Sequence, residues 1–114
     1  MGPGTDEWVV LVRNRILAAI VKEATVKGFF GPFSLDEILQ AWLEYEPDAI
    51  AMLPDPPGTA GSSLNQRRNY WFYEGCRALE EGAFIAEVGG GKFAIASLKV
   101  LMSQMFGVEP SHPD

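Results

Sequence analysis

The chain has 114 residues, 47% of them apolar and 21% charged, which is room for one self-supporting core and excludes the polar profile of a disordered chain. Its single cysteine, Cys76, excludes an intrachain disulfide and a cysteine-based zinc site, and fits a reducing, cytoplasmic setting. The net charge of −6 is uneven: Gly28 to Gln66 holds Asp36, Glu37, Glu44, Glu46, Asp48 and Asp55 with no Lys or Arg, while the rest balances nine basic against nine acidic residues.

The first helix is predicted from Thr5 as N-cap, with Asp6 and Glu7 complementing the dipole, to Lys27-Gly28. The stretch before it has no basic run, and the apolar segments Trp8–Val12 and Ile16–Val21 are broken by Arg13, Asn14 and Arg15. Neither a signal peptide nor a membrane span is expected. Together with Lys22 and Glu23, those residues form no continuous wet face, so this helix wants partners on two sides.

Gly28-Phe29-Phe30-Gly31-Pro32-Phe33 reads as a turn, and Ser34-Leu35-Asp36-Glu37 as a capping box that starts a second helix at Leu35. Leu35, Ile38, Leu39, Trp42 and Leu43 fall at helical spacing as one buried stripe that ends before Pro47, with a further short turn over Asp48–Leu53. Pro54 to Gly61 reads as a loop. Ser62 or Ser63 then caps a third helix from Leu64 to Glu81, ended by Gly82 as the residue able to take positive φ. Strands Ala83–Val88 and Lys92–Ala96, joined by Gly89-Gly90-Gly91, read as a hairpin. A last helix begins after Ser97 with the stripe Leu98, Leu101, Met102, Met105 and Phe106; residues 108–114 read as a flexible tail.

The fold class expected is mainly α with a small β-hairpin, α+β, in one domain over residues 1–107. Helix, helix, loop, helix, glycine-tipped hairpin, helix resembles the winged helix-turn-helix superfamily, most of all over Arg77-Ala78-Leu79-Glu80-Glu81-Gly82-Ala83-Phe84-Ile85-Ala86-Glu87-Val88 through Ala96. The resemblance covers residues 8–96 and implies a fold rather than a particular member. Residues Glu44 to Gly61 depart from it, being longer than the usual turn between the two helices of the motif.

The resemblance makes the third helix a recognition helix. Leu64, Trp71, Phe72, Gly75, Ala78 and Leu79 form its core stripe, and Gln66, Asn69, Tyr70, Tyr73 and Arg77 the opposite side, with Arg67 and Arg68 flanking. Gln, Asn and Arg have the bidentate geometry that adenine and guanine edges require, and tyrosine hydroxyls serve phosphates. Lys92 beside the glycines is a candidate backbone contact at the wing. The plainer alternatives are a solvated helix face and glycines that serve only the hairpin. Asp36 and Glu37 stand against DNA, since the first helix of such a motif crosses the phosphate backbone.

The function expected is therefore a small dimeric DNA-binding protein, a transcriptional regulator, self-associating through helix 5–27 and helix 98–106. The alternative is a winged-helix protein-interaction module whose tyrosine face or acidic segment Asp36–Asp55 meets a basic partner. No enzyme, cofactor or metal is expected. His112 is the only histidine, Glu44, Glu46 and Asp48 have no matching set elsewhere, and the triple glycine lacks the Lys-Ser/Thr of a phosphate loop.

Overall fold

The computed structural model describes residues 5–28 and 31–95. Helix α1 (Thr5–Lys27) carries Asp6 and Glu7 in its first turn and Lys27 in its last, each matched to the helix dipole. Thr5 is its first helical residue rather than the residue before it. Gly28 stops it at φ 69, and the Gly28 N–H donates to the Ala24 carbonyl at 2.8 Å. Val12, Ile16, Leu17, Ala19, Ile20 and Ala24 are buried, so α1 is the central rod of the core.

Strand β1 (Phe33–Ser34) runs directly into helix α2 (Leu35–Tyr45). The capping box is present: the Glu37 N–H donates to Ser34 Oγ at 3.1 Å, and the Ser34 N–H to Glu37 Oε1 at 2.8 Å. Ile38, Ala41 and Trp42 are buried and Leu39 and Leu43 partly so, whereas Leu35 is exposed and leaves the expected stripe. The extra turn is helix α3 (Pro47–Ala51), started by a proline at the position where a missing N–H costs nothing. It anchors Ile50, with Leu53 just beyond, in the core.

The loop from Pro54 is tied at both ends. Trp71 Nε1–H donates to the Pro54 carbonyl at 2.9 Å. The Asp55 carboxylate accepts from the Gly61 and Ser62 amides at 3.2 and 3.1 Å and from the Ser62 hydroxyl. Helix α4 (Leu64–Glu81) follows with its own capping box: the Gln66 N–H donates to Ser63 Oγ at 3.2 Å and the Ser63 N–H to Gln66 Oε1 at 2.8 Å. It packs on α1 at close range, because Gly75 lets Val12 and Ile16 approach; a Cβ there would stand 2.7 Å from Ile16 Cδ1. Leu64, at 47% exposed, is not part of the core stripe, and Cys76 is.

Gly82 ends α4 differently from expectation. Its φ is −84, and the left-handed residue is Ala83 at φ 62. The Ala83 and Phe84 amides donate to the Glu80 and Leu79 carbonyls at 3.1 and 2.9 Å, the paired bonds of a Schellman cap one residue later in the chain. Space instead explains a glycine at 82, where a Cβ would lie 2.6 Å from the edge of the Phe84 ring.

Strands β2 (Ile85–Gly89) and β3 (Lys92–Ile95) form the hairpin; β2 starts two residues after the predicted Ala83 and runs one residue past the predicted Val88, and β3 starts at Lys92 as predicted. Gly89 belongs to β2, and the turn is Gly90-Gly91, at φ 64 and 70, which only glycine tolerates cheaply. Val88 is the extra residue of a bulge between Glu87 and Gly89. The hairpin is not alone: Phe33 pairs with Phe93 and Ser34 with Lys92, making a three-stranded antiparallel sheet in the order β1-β3-β2. Two residues are too short for any alternation to mark β1 in the sequence. The fold is thus mainly helical with a small antiparallel sheet, α+β. The predicted helix over Leu98–Phe106, the strand end at Ala96 and the tail 108–114 lie outside the described residues.

Candidate nucleic-acid interface

The ridge of α4 that points away from α1 carries Gln66, Asn69, Tyr73 and Arg77, all exposed, with Glu80 at its far end. Tyr73 is the most open of the aromatic side chains here, at 64%. Asn65, in the first turn beside Gln66, is exposed as well. It is absent from the sequence-derived set, although an amide next to Gln66 at a helix start was signal enough to include it.

The other candidates are placed differently. Tyr70 is half-buried against the core, its ring edge-on to Trp71 at 4.9 Å and 90°, so only Tyr73 of the two tyrosines is an open contact. Arg67 turns back to the loop, where Nη1 donates to the Ser62 carbonyl at 2.5 Å. Arg68 is half-buried, and its Nη2 donates to Asn69 Oδ1 at 3.5 Å. Each has an Nε–H enclosed without an acceptor among the described residues, so neither guanidinium has its donors exhausted. Gln66 spends its carbonyl oxygen on the cap and keeps its amide hydrogens.

Arg77 is the most heavily compensated of the set. Nη2 meets Glu74 Oε1 at 2.5 Å and Nη1 meets Glu81 Oε2 at 3.2 Å. Hydrogen bonding to Glu74, then the charges of Glu74 and Glu81, hold the guanidinium above its usual range. Lys92 opens β3, exposed, in register with Gly89 and with Ser34, the N-cap of α2. The sheet thereby brings it beside the helix start that carries Asp36 and Glu37, and not onto the α4 ridge.

Charge along α4 is therefore polarised. From Leu64 to Tyr73 there are two arginines and no carboxylate, whereas Glu74, Glu80 and Glu81 outnumber Arg77 in the second half. The N-terminal half also gains the positive end of the helix dipole. Elsewhere, Arg13 lies over the Phe84 ring at 5.0 Å, with partial burial lowering its guanidinium pKa. Arg15 pairs with Glu46 at 2.8 Å and Lys27 with Glu23 at 2.9 Å.

Among the described residues, no group of three or more His, Cys, Asp or Glu side chains could hold a metal. Burial pushes the Cys76 thiol up to about 12, which leaves it neutral and unreactive. No helix among these residues is long and apolar enough to cross a membrane. Compared with known proteins, the chain matches no family model, no curated protein and no solved structure.

Proposed function

We propose that the chain is a winged-helix DNA-binding protein of the cytoplasm, a transcriptional regulator that lays the N-terminal half of α4 in the major groove, with the β2–β3 hairpin as its wing. The observation that carries this is the carboxylate-free half-helix Leu64–Tyr73, where Asn65, Gln66, Asn69 and Tyr73 are open beside Arg67 and Arg68. Recognition helices use their N-terminal residues on base edges, and amides and guanidinium groups supply the paired donors and acceptors that discriminate bases. The order of elements, with a hairpin following the third long helix, fits the superfamily that the sequence resembles; α3 fills the lengthened connection.

Few charges face the phosphates, so affinity per copy is modest and two half-sites are needed. Self-association uses α1, whose Val10 and Leu11 are 42% and 46% exposed, together with residues 98–106. The test is a duplex-DNA titration of wild type and of Arg67→Ala/Arg68→Ala. The double variant should bind more weakly and with a salt slope flatter by about 2 for each copy bound. Unchanged affinity and slope would sink the assignment.

One observation favours a protein partner instead. Arg77 is tied by Glu74 and Glu81, and Gly28–Gln66 carries six carboxylates and no cation, so the surface of that segment attracts basic rather than anionic partners. DNA that fails to bind at low salt decides for that function.

A further inference from the structure

A free side-chain amide both donates and accepts, but the surroundings of Gln66 and Asn69 leave each of them a donor. Gln66 Oε1 accepts the Ser63 N–H at 2.8 Å while the Gln66 N–H closes the capping box on Ser63 Oγ. The oxygen is thereby committed to the helix start, and Nε2 keeps its two hydrogens. Asn69 Oδ1 faces Arg68 Nη2 at 3.5 Å, which puts the Asn69 NH2 on the side away from that guanidinium. Oxygen and nitrogen cannot be exchanged in either amide, because each oxygen faces an N–H. From Leu64 to Tyr73 there is no carboxylate to accept in their place.

We infer that α4, lying in the major groove as proposed above, reads two successive guanines on one strand through the NH2 groups of Gln66 and Asn69; the inference rests on that placement. Guanine shows the groove two acceptors, N7 and O6, and no donor. Adenine sets its N6 donor beside N7, where an amide with a committed oxygen meets hydrogen with hydrogen. Cytosine offers only the N4 donor, and thymine a single acceptor beside a methyl group.

Both residues are exposed on the same ridge, and their spacing suits neighbouring bases. Three residues advance about 4.5 Å along a helix, and successive bases of a strand stand about 3.4 Å apart. Arg67, turned back to the Ser62 carbonyl, and the half-buried Arg68 supply charge rather than choice of base. Asn65 is the exception on this half-helix. Neither end of its amide is engaged among the described residues, so it can take adenine, and the guanine preference is confined to the bases that Gln66 and Asn69 meet.

The test selects bound sequences from a randomised duplex library with the full chain at low salt, and repeats the selection with Gln66→Glu and with Asn69→Asp. The glutamate keeps the capping box, since its carboxylate accepts the Ser63 N–H, but has no hydrogens to donate. Wild type should enrich adjacent guanines. Gln66→Glu should lose the guanine at one of the two positions, and Asn69→Asp at its neighbour, with cytosine taking its place. Replacing the selected guanines by 7-deazaguanine, which lacks N7 and keeps the base pair, should weaken wild-type binding about tenfold. Adenine at the positions that the two variants alter, or a guanine preference that both variants retain, overturns the inference. Binding without sequence preference also overturns it and leaves the DNA-binding reading standing. No binding to any duplex at low salt overturns that reading itself, and the inference with it.

Discussion

Ala83 sits at φ 62, the one left-handed residue among the described positions that is not glycine, and it does so because the Schellman bonds to Leu79 and Glu80 require that conformation of whichever residue stands there. A left-handed alanine costs about 1–2 kcal/mol, while the added unfolded-state freedom of glycine costs about 0.4–1 kcal/mol. Ala83→Gly should therefore raise stability by about 1 kcal/mol, or about 4 °C in thermal midpoint. A calorimetric scan checks it, and a lower midpoint contradicts the cap assignment. Cys76 is a second residue governed by its surroundings. With its thiol pushed up to about 12 by burial, about one molecule in ten thousand carries a thiolate at pH 8. A thiol reagent should label the native protein only as fast as it unfolds, and the denatured chain at once.

At the scale of elements, the α1–α4 crossing depends on Gly75. A Cβ there would stand 2.7 Å from Ile16 Cδ1 and 3.0 Å from Val12 Cγ1, both on side chains that the core holds in place. Replacing glycine by alanine gains about 1 kcal/mol of helix propensity, and overpacking costs about 1–3 kcal/mol. Gly75→Ala should lose about 1 kcal/mol net in denaturant unfolding; a gain would mean that the helices separate easily. Beyond the buried Pro56, the loop before α4 is held at its far end by Asp55. Hydrogen bonds from the Ser62 side chain, then from the Ser62 and Gly61 amides, hold its carboxyl below the usual range. A folded-state pKa lower than the unfolded one stabilises fully above the unfolded value, about 4, and that stabilisation is lost as pH falls through the folded value. The difference in thermal midpoint between wild type and Asp55→Asn should be constant above about pH 5 and shrink below about pH 4.

For the whole molecule, the helices and hairpin were legible where chemistry at their ends is local. Ser34 with Glu37 marks one helix start in four letters and that capping box forms; for the next long helix the sequence left the cap as Ser62 or Ser63, and it is Ser63, in a second capping box with Gln66. The third strand was not legible, because Phe33 and Ser34 become a strand only when β3 arrives from sixty residues away. The same limit applies to the candidate site. Helical spacing put Gln66, Asn69, Tyr73 and Arg77 on one ridge, and they share it. Spacing could not reveal that Tyr70 leans on Trp71, that Arg67 turns back to Ser62, or that Glu74 and Glu81 compensate Arg77, since those outcomes depend on what surrounds α4.

The most direct test of the account is a fluorescence-anisotropy titration of the full chain with duplex DNA of random sequence at low and at moderate salt. A DNA-binding α4 predicts binding at low salt that weakens steeply as salt rises, with a log–log slope of about −2 for the Arg67 and Arg68 contacts of one copy and about twice that for a dimer. Absence of binding at low salt contradicts it and assigns the exposed ridge of α4 to a protein partner.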